Sequence, residues 1–345
     1  MTDTELATRA PESDAQETNT PSPSDESPAA TAAPAAPAPA PANPTLSDHC
    51  TSNRPTPAGQ SSTGEITKLN DVDVYISKPA DYPHTPSRLL LLLTGGTGLH
   101  SINNQIQADR FATEGYVVVM PDLFGGDPAP NSTAAAEVAA ESSTGSFLDT
   151  FKIKAVETAK SFLIDMWLAR HTEEKVMPIL ERVLEGARDE FADAVSHGGG
   201  VYAVGYCFGA RYILLLAAER GGKGPGQGQQ GDEEANQPAT IPPQIKAGAL
   251  AHATLVSKSD FTGLKAPLSV VCVENDPMFP DEVRIAGEEY MSENGVEHEV
   301  QVYPGVPHGE CISISCGRTP LMRNRLRRCG RLSGRQHQVC AGHGV

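Results

Sequence analysis

Five short, uninterrupted apolar runs constrain this chain more than any other feature: LLLLL (89–93), YVVVM (116–120), VYAVG (201–205), AGAL (247–250) and LSVVCV (268–273). Runs of this length without polar alternation belong to strands buried on both faces, as in a parallel sheet covered by helices above and below. VDVYIS (72–77) alternates as a half-buried strand does, and HEVQVY (298–303) reads as a last strand. Between the strands lie segments with helical spacing. Leu180, Val183, Ala187, Phe191 and Ala194 recur at intervals of three or four, as do Val283, Ala286 and Tyr290. Strand and helix patterns in repeated alternation predict an α/β domain with a mostly parallel central sheet and helices on both faces.

Composition sets the limits of that domain. Of 28 prolines in 345 residues, many crowd the N-terminal PAATAAPAAPAPAPANP run (28–44). Residues 1–47 lack the aromatic and branched side chains that repay chain ordering, and are expected to be disordered. A second low-complexity stretch, GGKGPGQGQQGDEEANQPAT (221–240), reads as a surface-loop insertion, which costs little because closure entropy grows slowly with length. The domain is therefore expected over 48–309. Beyond it, residues 310–345 hold seven arginines, no lysine and one acid, Glu310, and form an atypical tail expected to be disordered.

A formal charge of −16 argues against a nucleic-acid or anionic-membrane surface for the chain as a whole. No apolar run reaches the roughly 18 residues that a transmembrane helix needs, and the acidic N-terminus lacks the basic and apolar regions of a signal peptide. Seven cysteines form no dense even framework, so free thiols and a cytoplasmic location are expected.

The strongest local signal is VYAVGYCFGARYILLLAAE (201–219), a buried strand running through Gly205-Tyr206-Cys207-Phe208-Gly209 into an apolar helix. G-x-C-x-G at that junction is the cysteine form of a nucleophile elbow. A side chain on so sharp a turn needs small neighbours, which Gly205 and Gly209 supply. The helix N-terminus favours thiolate over thiol at Cys207, and the Phe208 backbone N–H is one candidate oxyanion donor. A thiol nucleophile needs a base, and the base needs an orienting acid. Asp276 follows the strand LSVVCV and His308 sits in a Gly/Pro loop after the last strand, giving the chain order nucleophile, acid, histidine of α/β-hydrolases. Glu274 is a rival acid. His252 follows the strand AGALA and is a candidate pocket residue. Arg211, one turn into the helix, is a candidate partner for a substrate anion or else a solvated charge. His84, His171, His197 and His298 are poorly placed for the base, while Asp122 and Asp127 read as turn or cap residues.

These motifs resemble the dienelactone hydrolase family, and its fungal members in particular. The resemblance is carried by LLLTGGTGLHSINNQIQADRFATEGYVVVMPDLFGGDPAP (91–130), GYCFGARY (205–212), AHATLVSKSD (251–260), PLSVVCVENDPMFP (267–280) and VYPGVPHG (302–309), in the family's order and spacing. It implies an α/β-hydrolase fold and cysteine-dependent cleavage of a small activated ester or lactone through a thioester, without cofactor or metal. It also implies Cys207 as nucleophile, His308 as general base and then acid, Asp276 as its orienter, and the backbone N–H of Gly96 as a second oxyanion donor beside that of Phe208. Two departures stand out. Gly95 occupies the position where the family carries an acid, which would leave the resting cysteine tuned by His308 alone. The tail after Gly309 replaces the family's final helix.

Other readings of the same features are weaker. TGGTGLHS (94–101) lacks the Lys-Ser/Thr of a phosphate-binding loop, with Ser101 where the last glycine of a dinucleotide fingerprint would stand. Cys311, Cys316, Cys329, His337, Cys340 and His343 match no zinc spacing. Two alternative functions use the same elbow. One is a hydrolase-like ligand-binding protein with little turnover. The other is a redox-responsive protein in which an exposed Cys207 is the oxidation site.

Overall fold

The computed structural model describes residues 59–130, 149–221, 240–306 and 308–309. The expectations for residues 1–47 and 310–345 lie outside these, as does nearly all of 221–240. Among the described residues there are ten strands: β1 (Glu65–Leu69), β2 (Val72–Ser77), β3 (Arg88–Leu93), β4 (Tyr116–Pro121), β5 (Tyr202–Tyr206), β6 (Arg220–Gly221), β7 (Thr240–Ile241), β8 (Ala247–Ala251), β9 (Leu268–Val273) and β10 (His298–Tyr303). The helices are α1 (Ile102–Thr113), α2 (Asp149–Arg170), α3 (Glu173–Glu190), α4 (Ala192–Gly198), α5 (Phe208–Ala217) and α6 (Asp281–Glu293), with a short 3-10 turn at Lys258–Phe261. None of the described helices is long and apolar enough to cross a membrane.

Eight strands form one sheet in the order β1-β2-β4-β3-β5-β8-β9-β10. Within this sheet β1–β2 and β2–β4 pair antiparallel, and every other pairing is parallel. The predicted mostly parallel sheet is therefore present. β6 and β7 pair only with each other, Arg220 opposite Ile241 and Gly221 opposite Thr240, and this ladder ties together the two ends of the low-complexity insertion.

The apolar runs are explained by two cores, one on each face. Leu89, Leu91 and Leu93 of β3 enter one core, where they meet Ile164 and Trp167 of α2, Leu180 and Val183 of α3, and Ile213 of α5. Leu90 and Leu92 enter the other, against Ala108, Phe111 and Ala112 of α1. β4 divides in the same way, with Val117 and Val119 on one side and Val118 and Met120 on the other. A side-chain period of two sends alternate residues to opposite faces, so a strand with two apolar faces must read as a continuous run.

Two local expectations needed correction. β2 is more than half buried: Val72, Val74, Tyr75, Ile76 and Ser77 are all enclosed and only Asp73 is exposed. Tyr75 on its second face donates to Asp109 of α1 at 2.7 Å and accepts from the Gly64 N–H at 2.6 Å. Burial and the Asp109 carboxylate push this phenol up to about 12, so it stays a neutral donor. The apolar series from Leu180 to Ala194 crosses two helices, because Phe191 leaves helical geometry (φ −119°, ψ 41°) between α3 and α4.

Candidate active site

Parallel strands place their C-terminal ends on a common edge of the sheet, and the loops leaving that edge can converge. Cys207 follows β5, His252 follows β8, Asp276 lies three residues past β9, and His308 lies beyond β10.

Cys207 holds a backbone conformation that non-glycine residues rarely adopt, φ 50° and ψ −115°, between the last residue of β5 and the first of α5. Its N–H donates to Ala251 O at 3.2 Å, and its carbonyl accepts from Thr254 and Ala210. Strain at this position is thus held in place from β8 and from α5. The two glycines are required by contact as well as by shape. A Cβ on Gly205 would stand 2.6 Å from Ile213 Cγ1 and 2.7 Å from the Gly209 carbonyl oxygen. A Cβ on Gly209 would stand 2.6 Å from the Leu93 carbonyl carbon, where the Gly209 N–H also donates to Thr94 O at 3.0 Å. Gly209→Ala is therefore expected to push α5 away from the end of β3 and to destabilise the domain by about 3 kcal/mol, the upper part of the range for overpacking. Urea denaturation of the variant beside the parent chain measures this directly.

Phe208 is the first residue of α5, where a helix's leading N–H groups have no intrahelical acceptor. Its ring is braced by Phe124 and Trp167, with centroids at 5.2 and 5.3 Å, and the Trp167 indole donates to Asp127 O at 2.7 Å. The loop after β3 is anchored beside the same helix start through Thr94, and Gly96 O accepts from Ala129 at 2.8 Å. Gly95 and Gly96 are both buried.

His308 Nδ1 lies 2.6 Å from Asp276 Oδ2, with both side chains almost wholly buried. The second oxygen of Asp276 accepts from the Met278 N–H at 2.9 Å. The carboxylate is thereby held from its own loop while it faces the imidazole. Glu274 is exposed, its N–H bound to Tyr303 O at 3.0 Å, and the backbone turns through a positive φ of 55° at Asn275 before the buried Asp276.

A ring nitrogen of His308, a ring nitrogen of His252 and Cys207 Sγ all lie within 4.8 Å of one another. Two imidazoles, rather than His308 alone, therefore share the site. His252 is fully buried at a positive φ of 37°, and its ring meets that of His308 edge to face at 5.2 Å. Thr254 Oγ1, which sequence reasoning did not single out, is 4.0 Å from Sγ. Its only signal was its place two residues after His252. Cys207 itself is 0% exposed, whereas a redox-responsive reading calls for an exposed thiol.

The remaining candidates are accounted for by their surroundings. Arg211 donates to both oxygens of Asp260 at 3.0 Å and to Glu173 at 2.7 Å, so its charge is matched by two carboxylates. Asp122 accepts from the Phe124 and Gly126 N–H groups as a turn residue. Asp127 pairs with Arg170 at 2.9 Å. His171 packs on Trp167 and bonds its carbonyl, while His84 and His197 are exposed. His298 bonds Val296 O at the start of β10. A cavity of about 400 Å³ lies beside Phe208, Arg211 and Tyr212 of α5, and Cys207, His252 and His308 are not among its lining residues. Leu168, Phe208, Tyr212 and Leu255 form its apolar wall, and Glu173 and Arg211 lie on its polar side.

The model of the dienelactone hydrolase family matches residues 72–311. Hydrolase pyvD of Aspergillus violaceofuscus is 28% identical over 256 residues, covering 74% of this chain and 82% of the relative. Hydrolase tropI of Talaromyces stipitatus is 29% identical over 246 residues, covering 71% and 78%. Dienlactone hydrolase 1 of Gibberella moniliformis is 26% identical over 248 residues, covering 72% and 77%. Among solved structures, a candidate dienelactone hydrolase from Klebsiella pneumoniae superposes with a TM-score of 0.51 at 16% identity, over 78% of this chain and 96% of that one. That likeness establishes a shared α/β-hydrolase fold.

Proposed function

Because the chain belongs to the dienelactone hydrolase family, a family of carboxylic ester hydrolases, we propose that it cleaves a small activated ester or enol lactone through a Cys207 thioester. The observation that carries this reading is the buried His308–Asp276 pair at 2.6 Å, with an imidazole nitrogen of His308 within 4.8 Å of Cys207 Sγ.

In the proposed reaction His308 takes the Cys207 proton and the sulfur attacks the carbonyl carbon. The oxyanion is met by the backbone N–H groups of Phe208 and Gly96. As the intermediate collapses, the carbon–oxygen bond of the ester breaks, and the His308 imidazolium returns its proton to the leaving oxygen. Water, deprotonated by His308, then attacks the thioester. The carboxylic acid leaves and the thiol is restored. Asp276 accepts the Nδ1–H bond throughout, which aims the other nitrogen at the reacting groups and stabilises the imidazolium. An enol or phenol is a good leaving group, so a thiolate of modest basicity suffices. The Arg211 charge is already matched by Glu173 and Asp260, which argues against its serving as the partner of a substrate anion.

The test is to mix the chain with p-nitrophenyl acetate, quench in acid, and map the peptides by mass spectrometry. Acetyl carried on Cys207, with a burst of p-nitrophenol equal to the enzyme, is the expected outcome. Turnover with acetyl on another residue, or on none, overturns the thioester.

A further inference from the structure

We propose that Cys207, His252 and His308 together form a three-donor binding site for a zinc-class divalent cation, and that an ion held there silences the elbow. The inference goes beyond hydrolysis and does not depend on turnover.

Three features support it. The first is geometry. One sulfur and two imidazole nitrogens, each from the loop after a different parallel strand, lie within 4.8 Å of one another. Zinc–sulfur and zinc–nitrogen bonds of about 2.3 and 2.0 Å give tetrahedral edges of roughly 3.3–3.6 Å. The donors therefore need to close in by at most about 1.5 Å, within the reach of side-chain rotation. The second is orientation. Ligating histidines bind best when the other ring nitrogen is held by a carboxylate, and His308 has Asp276 at 2.6 Å for that purpose. The third is environment. All three residues are buried, Cys207 and His252 at 0% exposure and His308 at 6%, so a thiolate–cation pair forms in a low dielectric.

The donor set also selects the ion. One thiolate and two imidazoles suit zinc, cobalt and cadmium, whereas magnesium and calcium demand oxygen ligands. On binding, the Cys207 proton passes to solvent and the sulfur lone pair is committed to the metal. The same lone pair is the one required to attack a carbonyl. Water would complete the fourth position, as in zinc sites with three protein ligands.

The experiment uses the full chain, stripped with chelator and titrated with cobalt(II). Expected is a four-coordinate visible spectrum with a near-ultraviolet sulfur-to-cobalt band that Cys207→Ala removes. Zinc should displace the cobalt and magnesium should not. His252→Ala is expected to weaken cobalt at least about 100-fold, more than loss of an outer-shell partner does. An octahedral spectrum, or a sulfur band unchanged in Cys207→Ala, overturns the proposal. If either variant fails to fold, the parent chain alone decides. Zinc must then slow iodoacetamide modification of Cys207, read by peptide mapping so that the thiols of the tail do not contribute. Equal modification with and without zinc overturns the site. Cobalt binding in a chain that shows no acetyl on Cys207 would separate this inference from the hydrolase reading.

Discussion

Cys207→Ala is expected to lower p-nitrophenyl acetate hydrolysis by at least about 1,000-fold, close to the rate left by binding and backbone N–H groups alone. A loss of that size corresponds to roughly 4 kcal/mol of transition-state stabilisation. The reason lies in the turn. Cys207 occupies a positive-φ position that the packing of β8, α5 and the end of β3 holds in place, so no neighbouring side chain can substitute for its sulfur. Alanine removes the sulfur while leaving the backbone unchanged, and far-UV circular dichroism and the melting temperature should match the parent. A folded Cys207→Ala protein with full activity would sink the proposed mechanism, and would favour a water-activating role for His308.

Asp276→Asn is expected to cost up to about 10,000-fold in kcat, with a small change in KM, because the amide preserves shape but reverses the hydrogen-bond demand. As carboxylate, Asp276 accepts both the His308 Nδ1–H bond and the Met278 N–H bond. Asparagine can accept with only one oxygen. If its NH₂ faces the ring, Nδ1 must become the acceptor, which places the proton on the nitrogen needed as base. Glu274→Gln provides the comparison, since that side chain is exposed and should leave kcat essentially unchanged. Measuring kcat and KM for both variants alongside their melting curves distinguishes a lost orienter from a lost fold. If Glu274→Gln fell as far as Asp276→Asn, the assignment of the orienting acid would be wrong.

Much of the fold was legible because burial on both faces leaves an unmistakable trace in a strand. β3, β4, β8 and β9 could be read from short, almost wholly apolar runs, and all are almost fully enclosed. β1 could not. EITKL has four exposed residues out of five and is a strand only because it pairs antiparallel with β2 at the edge of the sheet. The second face of β2 was misread for a related reason. Tyr75 looks half-polar in sequence, yet it is buried in the second core, where its hydroxyl meets Asp109 of α1. The break at Phe191 was equally hidden, since the apolar spacing runs on undisturbed through the point where the backbone leaves the helix.

The site divides along the same line. Local chemistry determined the elbow: glycine on either side of Cys207 follows from contacts that arise within eight residues and from one neighbouring strand end. Chain order pointed to Asp276 and His308, because parallel topology delivers successive loops to one edge of the sheet. What order could not decide was partnership. The chain turns at Asn275 just past β9, which leaves Glu274 exposed and Asp276 buried against the imidazole. Arg211 found Glu173 and Asp260 from 38 and 49 residues away, which closed a question that sequence left open. His252 came within 4.8 Å of both Cys207 and His308 only because β8 lies beside β5. Periodicity and turn chemistry act over a few residues, so they are written in the sequence. Contacts between side chains from separate loops depend on strand order and register, and only the tertiary structure supplies those.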